Sequence, residues 1–262
     1  MRIEIRWAGD NTERYHEYAK ELVGLAPDVI FASTSPSVAA LQRLTHDLPI
    51  VFANVIDPVG AGFVASLARP GGNTTGFTSF EYSISSKWLE LLKELLPGMK
   101  RVAVIRDPLT AAGIGQFAAI QTSSSSGLEL TVINPRDPTE ITRALAAFAR
   151  ERNSGVVVTA SSPTTTHRDL LLSLALQLLL PTVYPFRYFT ANGGLASYGP
   201  DTIDSYARAA TYVDRVLKGD KPADLPVQAP TKYELLINLR TAKAMGVELP
   251  PTLLARSDEV IE

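Results

Sequence analysis

Five short loops gather the residues of this chain whose types could do chemistry, and each follows an apolar run. They are Ala32-Ser-Thr-Ser-Pro36, Asn54-Val-Ile-Asp57, Arg106-Asp107-Pro108, Thr159-Ala-Ser-Ser-Pro163 and Tyr184-Pro-Phe-Arg187. Hydroxyls and backbone N–H groups can hold a carboxylate, an aspartate can pair with an amine, and aromatic rings can cover an apolar body. Together they suit a small amphipathic or zwitterionic ligand. Any one of these loops could be a simple turn, because Ser, Thr, Asp and Pro are turn and cap formers. Their recurrence through both halves of the chain is what argues for a ligand.

Other chemistries find less support. Gly60-Ala-Gly62-Phe-Val-Ala65 matches G-x-G-x-x-A by letter. A dinucleotide site needs those glycines in a tight turn from a strand straight into a helix, and here Asp57-Pro58 intervenes. No Walker pattern and no G-x-S-x-G elbow occur. The three histidines, His16, His46 and His167, stand apart, and none has a second histidine at ligand spacing. The absence of cysteine removes disulfides, a thiolate nucleophile and sulfur-ligated zinc. A formal charge of −2 without a dense basic run gives no case for nucleic acid. Neither a metal nor a cofactor is expected.

The elements that must position the loops alternate along the chain. Ile3, Ile5 and Trp7 alternate as in a half-buried strand, and Tyr15, Tyr18, Ala19 and Leu22 share a helical face. Strands are expected at Val29–Ala32, Ile50–Ala53, Asn73–Phe77, Arg101–Ile105, Glu129–Ile133, Val156–Thr159, Pro181–Tyr184 and Glu234–Asn238. Trp88, Leu91, Leu92, Leu95 and Leu96 form an apolar helical stripe that stops at Pro97-Gly98. A turn is expected over Ser123–Gly127. Asp137-Pro-Thr-Glu140 reads as a helix start, and Asp201 as the cap of a late helix. The leucine-rich run 170–180 is too short and too interrupted to cross a membrane. Repeated βα units predict an α/β fold of two doubly wound, parallel-sheet lobes with a cleft between them. A binding protein, an α/β cleft enzyme (a hydrolase or a nucleotide-sugar enzyme) and the effector lobe of a regulator all remain compatible with that cleft.

The stretches "GGLASYGPD", "ADLPVQAPTKYELLINLRTAKAMGVELPPTLLARSDEVIE" and "IDPVGAGFVASLARPGGNTTGFT" resemble the ABC transporter substrate-binding family that includes tryptophan and tyrosine receptors. The resemblance runs through nearly the whole chain. It implies the type I periplasmic binding protein fold, a periplasmic receptor that is not an enzyme, and an ABC permease as partner. The solute would be an amino acid or another aromatic-bearing metabolite. Family members begin with an export signal and a βα unit ahead of the segment equivalent to Arg2–Trp7; the start MRIEIRWAGD carries neither. The sheet edges of a shortened first lobe suggest a second copy as a homodimer partner.

On this reading lobe 1 is 1–77 plus 196–262, and lobe 2 is 78–195. Thr34, Ser35 and Asp57 would contact ligand from lobe 1, and Asp107, Ser161, Ser162, Tyr184 and Phe186 from lobe 2. Tyr198 and Asp201 would contribute from the crossover. Gly76, Phe77, Thr78 and Ser197 would form the hinge. The turn-rich LARPGGNTTGFTSF, 67–80, then reads as a pivot with no role in phosphate binding.

Overall fold

The computed structural model describes residues 2–9, 11–124 and 127–262, so Ser125 and Ser126 of the expected serine turn lie outside the described residues. The chain begins with α1 (Thr12–Gly24), β1 (Ile30–Ser33), α2 (Ser35–Gln42), β2 (Ile50–Val55) and β3 (Thr74–Thr78). It continues with α3 (Ile84–Leu95), β4 (Arg101–Ile105), α4 (Ala111–Ser123), β5 (Glu129–Ile133), α5 (Pro138–Phe148) and β6 (Ser154–Val158). Next come α6 (Ser162–Thr166), α7 (Arg168–Gln177), β7 (Thr182–Tyr184), α8 (Arg187–Ala191) and β8 (Ala196–Pro200). The last elements are α9 (Thr202–Leu217), β9 (Tyr233–Asn238), α10 (Leu239–Met245), α11 (Pro251–Ala255) and β10 (Glu259–Ile261). The cap residues read from sequence work as such. Asp137 accepts from the N–H of Thr139, and Asp201 from those of Ile203 and Asp204.

These elements form two compact units. Unit 1 is Met1–Glu81 with Asp201–Thr231, and unit 2 is Tyr82–Pro200 with Lys232–Glu262. Unit 1 holds a parallel sheet ordered β1-β2-β3. Alternation along its strands splits the core in two. Ile30, Ala32, Ile50 and Phe52 pack with Ala19 of α1 and with Val38, Ala40 and Leu41 of α2. Val51, Ala53 and Phe77 face Ala209, Tyr212 and Val216 of α9. Gly76, at φ 154, is required because a Cβ there would lie 2.1 Å from the Phe52 carbonyl oxygen.

Unit 2 is built on a seven-stranded sheet, β10-β9-β8-β7-β6-β4-β5, in which only β8 and β9 are antiparallel. Ile105, Ile133, Val156 and Val158 pack with Leu145 and Phe148 of α5 and with Leu171 and Leu174 of α7. The stripe predicted on α3 is buried at Trp88, Leu91, Leu92 and Leu95, each such side chain worth about 1.5–3 kcal/mol of transfer. The Trp88 indole donates to the Tyr198 carbonyl at 2.7 Å.

Two expectations need correction. Residues 78–81 fall with unit 1, and residues 196–200 and 232–262 with unit 2, the latter because β8 pairs with β7 on one side and with β9 on the other. The chain therefore passes between the units three times, at Glu81/Tyr82, Pro200/Asp201 and Thr231/Lys232. Second, Ile3, Ile5 and Trp7 do not form a strand. They are exposed at 66, 59 and 82%, since alternation buries a face only when a neighbouring strand takes the backbone hydrogen bonds. Arg6 instead pairs with Glu21 of α1, and the Tyr15 hydroxyl donates to the Gly9 carbonyl.

Candidate functional site

In open parallel sheets ligands meet the loops beyond the carboxyl ends of the strands. At unit 1's strand ends the backbone is strained. Thr34, just past β1, has φ 76 and ψ 156, a region that β-branched residues almost never enter. Asn54, near the end of β2, and Asp57, just beyond it, have φ 56 and 47. The strain at Asn54 coincides with a break in the β2–β3 register between Phe52 and Val55. The Thr34 Oγ1 and Asn54 Oδ1 atoms are buried and have no hydrogen-bond partner among the described residues. Buried polar atoms are ordinarily paired, and each unpaired one costs about 1–3 kcal/mol.

The segments that follow β1 and β2 carry further polar groups. Thr34 is the N-cap residue of α2, but its side chain makes no capping bond. Ser35 is half-buried at the first helical position. Asp57 accepts from the Gly60 N–H at 2.8 Å. The Ser33 and Tyr206 hydroxyls are 2.7 Å apart, and the Tyr206 ring lies against Phe31 at 5.8 Å. Sequence singled out Thr34, Ser35 and Asp57 but missed Tyr206, whose spacing with Ala210, Val213 and Leu217 reads as a core face of α9, whereas the buried face is Ser205, Ala209, Tyr212 and Val216. Asn54 stood in a recognised loop, but nothing in its letter announced a left-handed backbone.

Most polar groups at unit 2's strand ends are paired internally. Asp107 is buried, and Arg136 grips it with a two-pronged pair at 2.9 and 2.8 Å, while the Leu109 N–H also donates to it. Gln116 reaches the end of β6, accepting from the Ala160 N–H and donating to its carbonyl. Ser161 and Thr164 cap α6 reciprocally, with Ser162 and Pro163 as its first residues. Two groups are left over: the Arg106 guanidinium lies 5.0 Å over the Phe117 ring with its buried Nε unpartnered, and Ser197, in register with Tyr184 at the end of β7, has a buried Oγ with no partner among the described residues.

The aromatic and hinge candidates are dispersed. Tyr184 is closed inside unit 2's core, stacked on Phe189 at 4.9 Å, and burial pushes its phenol above the usual tyrosine range. A ligand-contacting role is therefore withdrawn for Tyr184. The same holds for Asp107, whose carboxylate is committed to Arg136. Phe186 is half-buried and stacks on Tyr188 at 5.4 Å. Tyr198 is half-buried on β8, stacked on Tyr233 at 5.9 Å. Asp201 is the cap of α9. Gly76, Phe77 and Thr78 are buried within β3, and Ser197 within β8, all inside a unit and short of the passages. The glycines at 60 and 62 lie in turns that lead into no helix. Among the described residues no group of three or more His, Asp or Glu could hold a metal ion, and no helix is long and apolar enough to cross a membrane.

Two α/β units with parallel sheets and polar strand-end loops define the architecture of the periplasmic binding proteins. A family model described as ABC transporter substrate binding protein matches residues 1–261, and the chain belongs to that family. A "Tyrosine-binding protein" of Clostridioides difficile is 26% identical over 249 residues, 95% of this chain and 71% of that protein. The structure of a conserved domain protein from Vibrio cholerae O1 biovar eltor has a TM-score of 0.88 at 28% identity, covering 95% of this chain and 84% of its own. An ABC domain from Streptococcus pneumonia, solved in complex with L-Trp, has a TM-score of 0.89 at 24% identity. That match covers 100% of this chain and 90% of the other.

Proposed function

We propose that this chain captures an aromatic amino acid for an ABC importer, outside the cytoplasm, and presents it to a membrane permease. The strand ends of unit 1 anchor the amino-acid head group. The observation that carries this reading is a pair of buried oxygens on strained backbone, Thr34 Oγ1 and Asn54 Oδ1, that have no partner among the described residues. A protein retains both costs where a ligand's donors and acceptors repay them. The ammonium is assigned to Asn54 Oδ1 and the Asp57 carboxylate, a charge-assisted pairing. The carboxylate is assigned to the hydroxyls of Thr34 and Ser35 beside the uncapped start of α2, where N–H groups favour negative charge. An aromatic side chain is favoured by the relative named for tyrosine binding.

Calorimetric titration with L-tyrosine, L-tryptophan and L-phenylalanine tests the reading, with thermal melts in parallel. A ligand at about 100 times its Kd raises stability by about 2.7 kcal/mol. Heat of binding with a matching rise in Tm is the expected result. Silence with every amino acid, aromatic or not, would sink the receptor reading, and turnover of the ligand would replace it with an enzyme.

A further inference from the structure

The three passages between the units meet unit 1 at Glu81, Asp201 and Thr231. One side chain touches the approach to each of them. Arg208, on α9, lays its guanidinium 5.0 Å over the Phe77 ring of β3, the strand that leads to the first passage. It stands 3.7 Å from Asp204, in the helical turn that Asp201 caps immediately after the second passage. It donates to the Gln228 side chain and to the Ala229 carbonyl, in the segment that leads to the third passage.

The surrounding bonds close the same circuit. The Gln228 N–H donates to the Gly76 carbonyl at 3.0 Å, and the Thr78 N–H to the Gln228 carbonyl at 2.9 Å. The Gln228 amide nitrogen donates to the Tyr212 hydroxyl, which donates in turn to the Pro226 carbonyl, both at 2.8 Å. The Tyr212 ring meets Phe77 at 4.7 Å. Arginine suits this post because its planar fork can stack on a ring and still donate from its edge, which an ammonium cannot do.

We infer that Arg208 is a positioning residue for solute capture: it locks the three connections of unit 1 into one register, so that they order or loosen together. The inference rests on the receptor reading only for its effect on affinity. A receptor whose connections are ordered in a fraction of molecules binds with an apparent Kd raised by the inverse of that fraction.

The test pairs hydrogen exchange, followed by mass spectrometry, with L-tyrosine titration. It compares the wild type with Arg208→Lys, Arg208→Ala and the surface control Lys218→Ala. Arg208→Lys keeps the charge and guards against a misfolded alanine variant. Peptides containing the amides of Thr78, Asp204 and Gln228 should all exchange faster in Arg208→Lys, while those of β1 and β2 stay protected. Apparent affinity should fall about tenfold if ordering drops to about one tenth, and Lys218→Ala should match the wild type. Faster exchange confined to the Gln228 peptide, or spread evenly over unit 1, overturns the lock, as does unchanged affinity with all three peptides loosened. If the wild type binds no amino acid, the receptor reading fails and the exchange pattern alone decides the role of Arg208.

Discussion

The strand ends of both units carry polar residues, yet most of those in unit 2 are paired internally while Thr34 and Asn54 in unit 1 are not. In unit 2 most of these groups answer one another: Asp107 is held by Arg136, Gln116 by Ala160, and Ser161 by Thr164, while Arg106 Nε and Ser197 Oγ have no partner among the described residues. In unit 1 Thr34 and Asn54 present buried oxygens with no partner among the described residues, on backbone that only glycine adopts without cost. Internal pairing makes a loop rigid and indifferent to ligand. Unanswered groups on a strained frame make it less stable by itself and responsive to a partner. The same residue types thus close mostly on one another in one unit and stand unpaired at Thr34 and Asn54 in the other, which is the contrast that the proposed recognition role rests on.

The largest effect expected from this contrast lies in unit 2. Arg136→Ala leaves the Asp107 carboxylate buried and unpaired, a change that costs about 3–5 kcal/mol for a fully buried pair. Because Arg136 is about a third exposed, about 2 kcal/mol is expected, lowering Tm by roughly 4–8 °C. Ligand affinity should move less than twofold. A large loss of affinity without loss of Tm would erase the distinction between the units.

Thr34→Gly sharpens the comparison from the other side, because stability and affinity should part company. Releasing φ 76 recovers about 1–3 kcal/mol of strain, offset by up to about 1 kcal/mol of extra chain entropy in the unfolded state. A net gain of about 1 kcal/mol in urea unfolding is expected, with affinity down about tenfold for one lost bond to a charged group. A variant that is both less stable and unchanged in binding would show Thr34 to be ordinary packing.

Tyr184→Phe should have the smallest effect. At neutral pH removal of one buried hydroxyl costs about 1 kcal/mol or less. The folded phenol titrates above the unfolded value of about 10, so between those values the unfolded state has lost the proton that the folded state keeps. Wild-type stability therefore holds below about pH 10 and falls above it by up to about 1.4 kcal/mol per pH unit. The phenylalanine variant lacks that contribution, so the two urea midpoints should converge between pH 8 and pH 11. Parallel curves would place the Tyr184 hydroxyl in contact with solvent.

Much of this was legible beforehand, and the failures have physical causes. Caps at Asp137 and Asp201 were readable because capping is a local bond between a side chain and the next few amides. The α3 stripe was readable because its period matches the helix. Ile3, Ile5 and Trp7 had the right period too, but a strand is completed by a neighbour that local sequence does not name. The destination of residues 232–262 was hidden for the same reason, since Glu234–Asn238 could equally extend either sheet, and its antiparallel pairing with β8 is a long-range choice. At the candidate site the loops were legible from their residue types. The left-handed backbone at Thr34, Asn54 and Asp57 was not, because no glycine marks it, and neither was the arginine that removes Asp107 from play.

The late return of the chain has a consequence for its birth. Both sheets begin near the N-terminus of their units, but unit 1 waits for α9 and the Gln228 segment, and the central β8 of unit 2 waits for β9. During synthesis, which proceeds at about 5–20 residues per second, neither body can close until nearly the whole polypeptide has emerged.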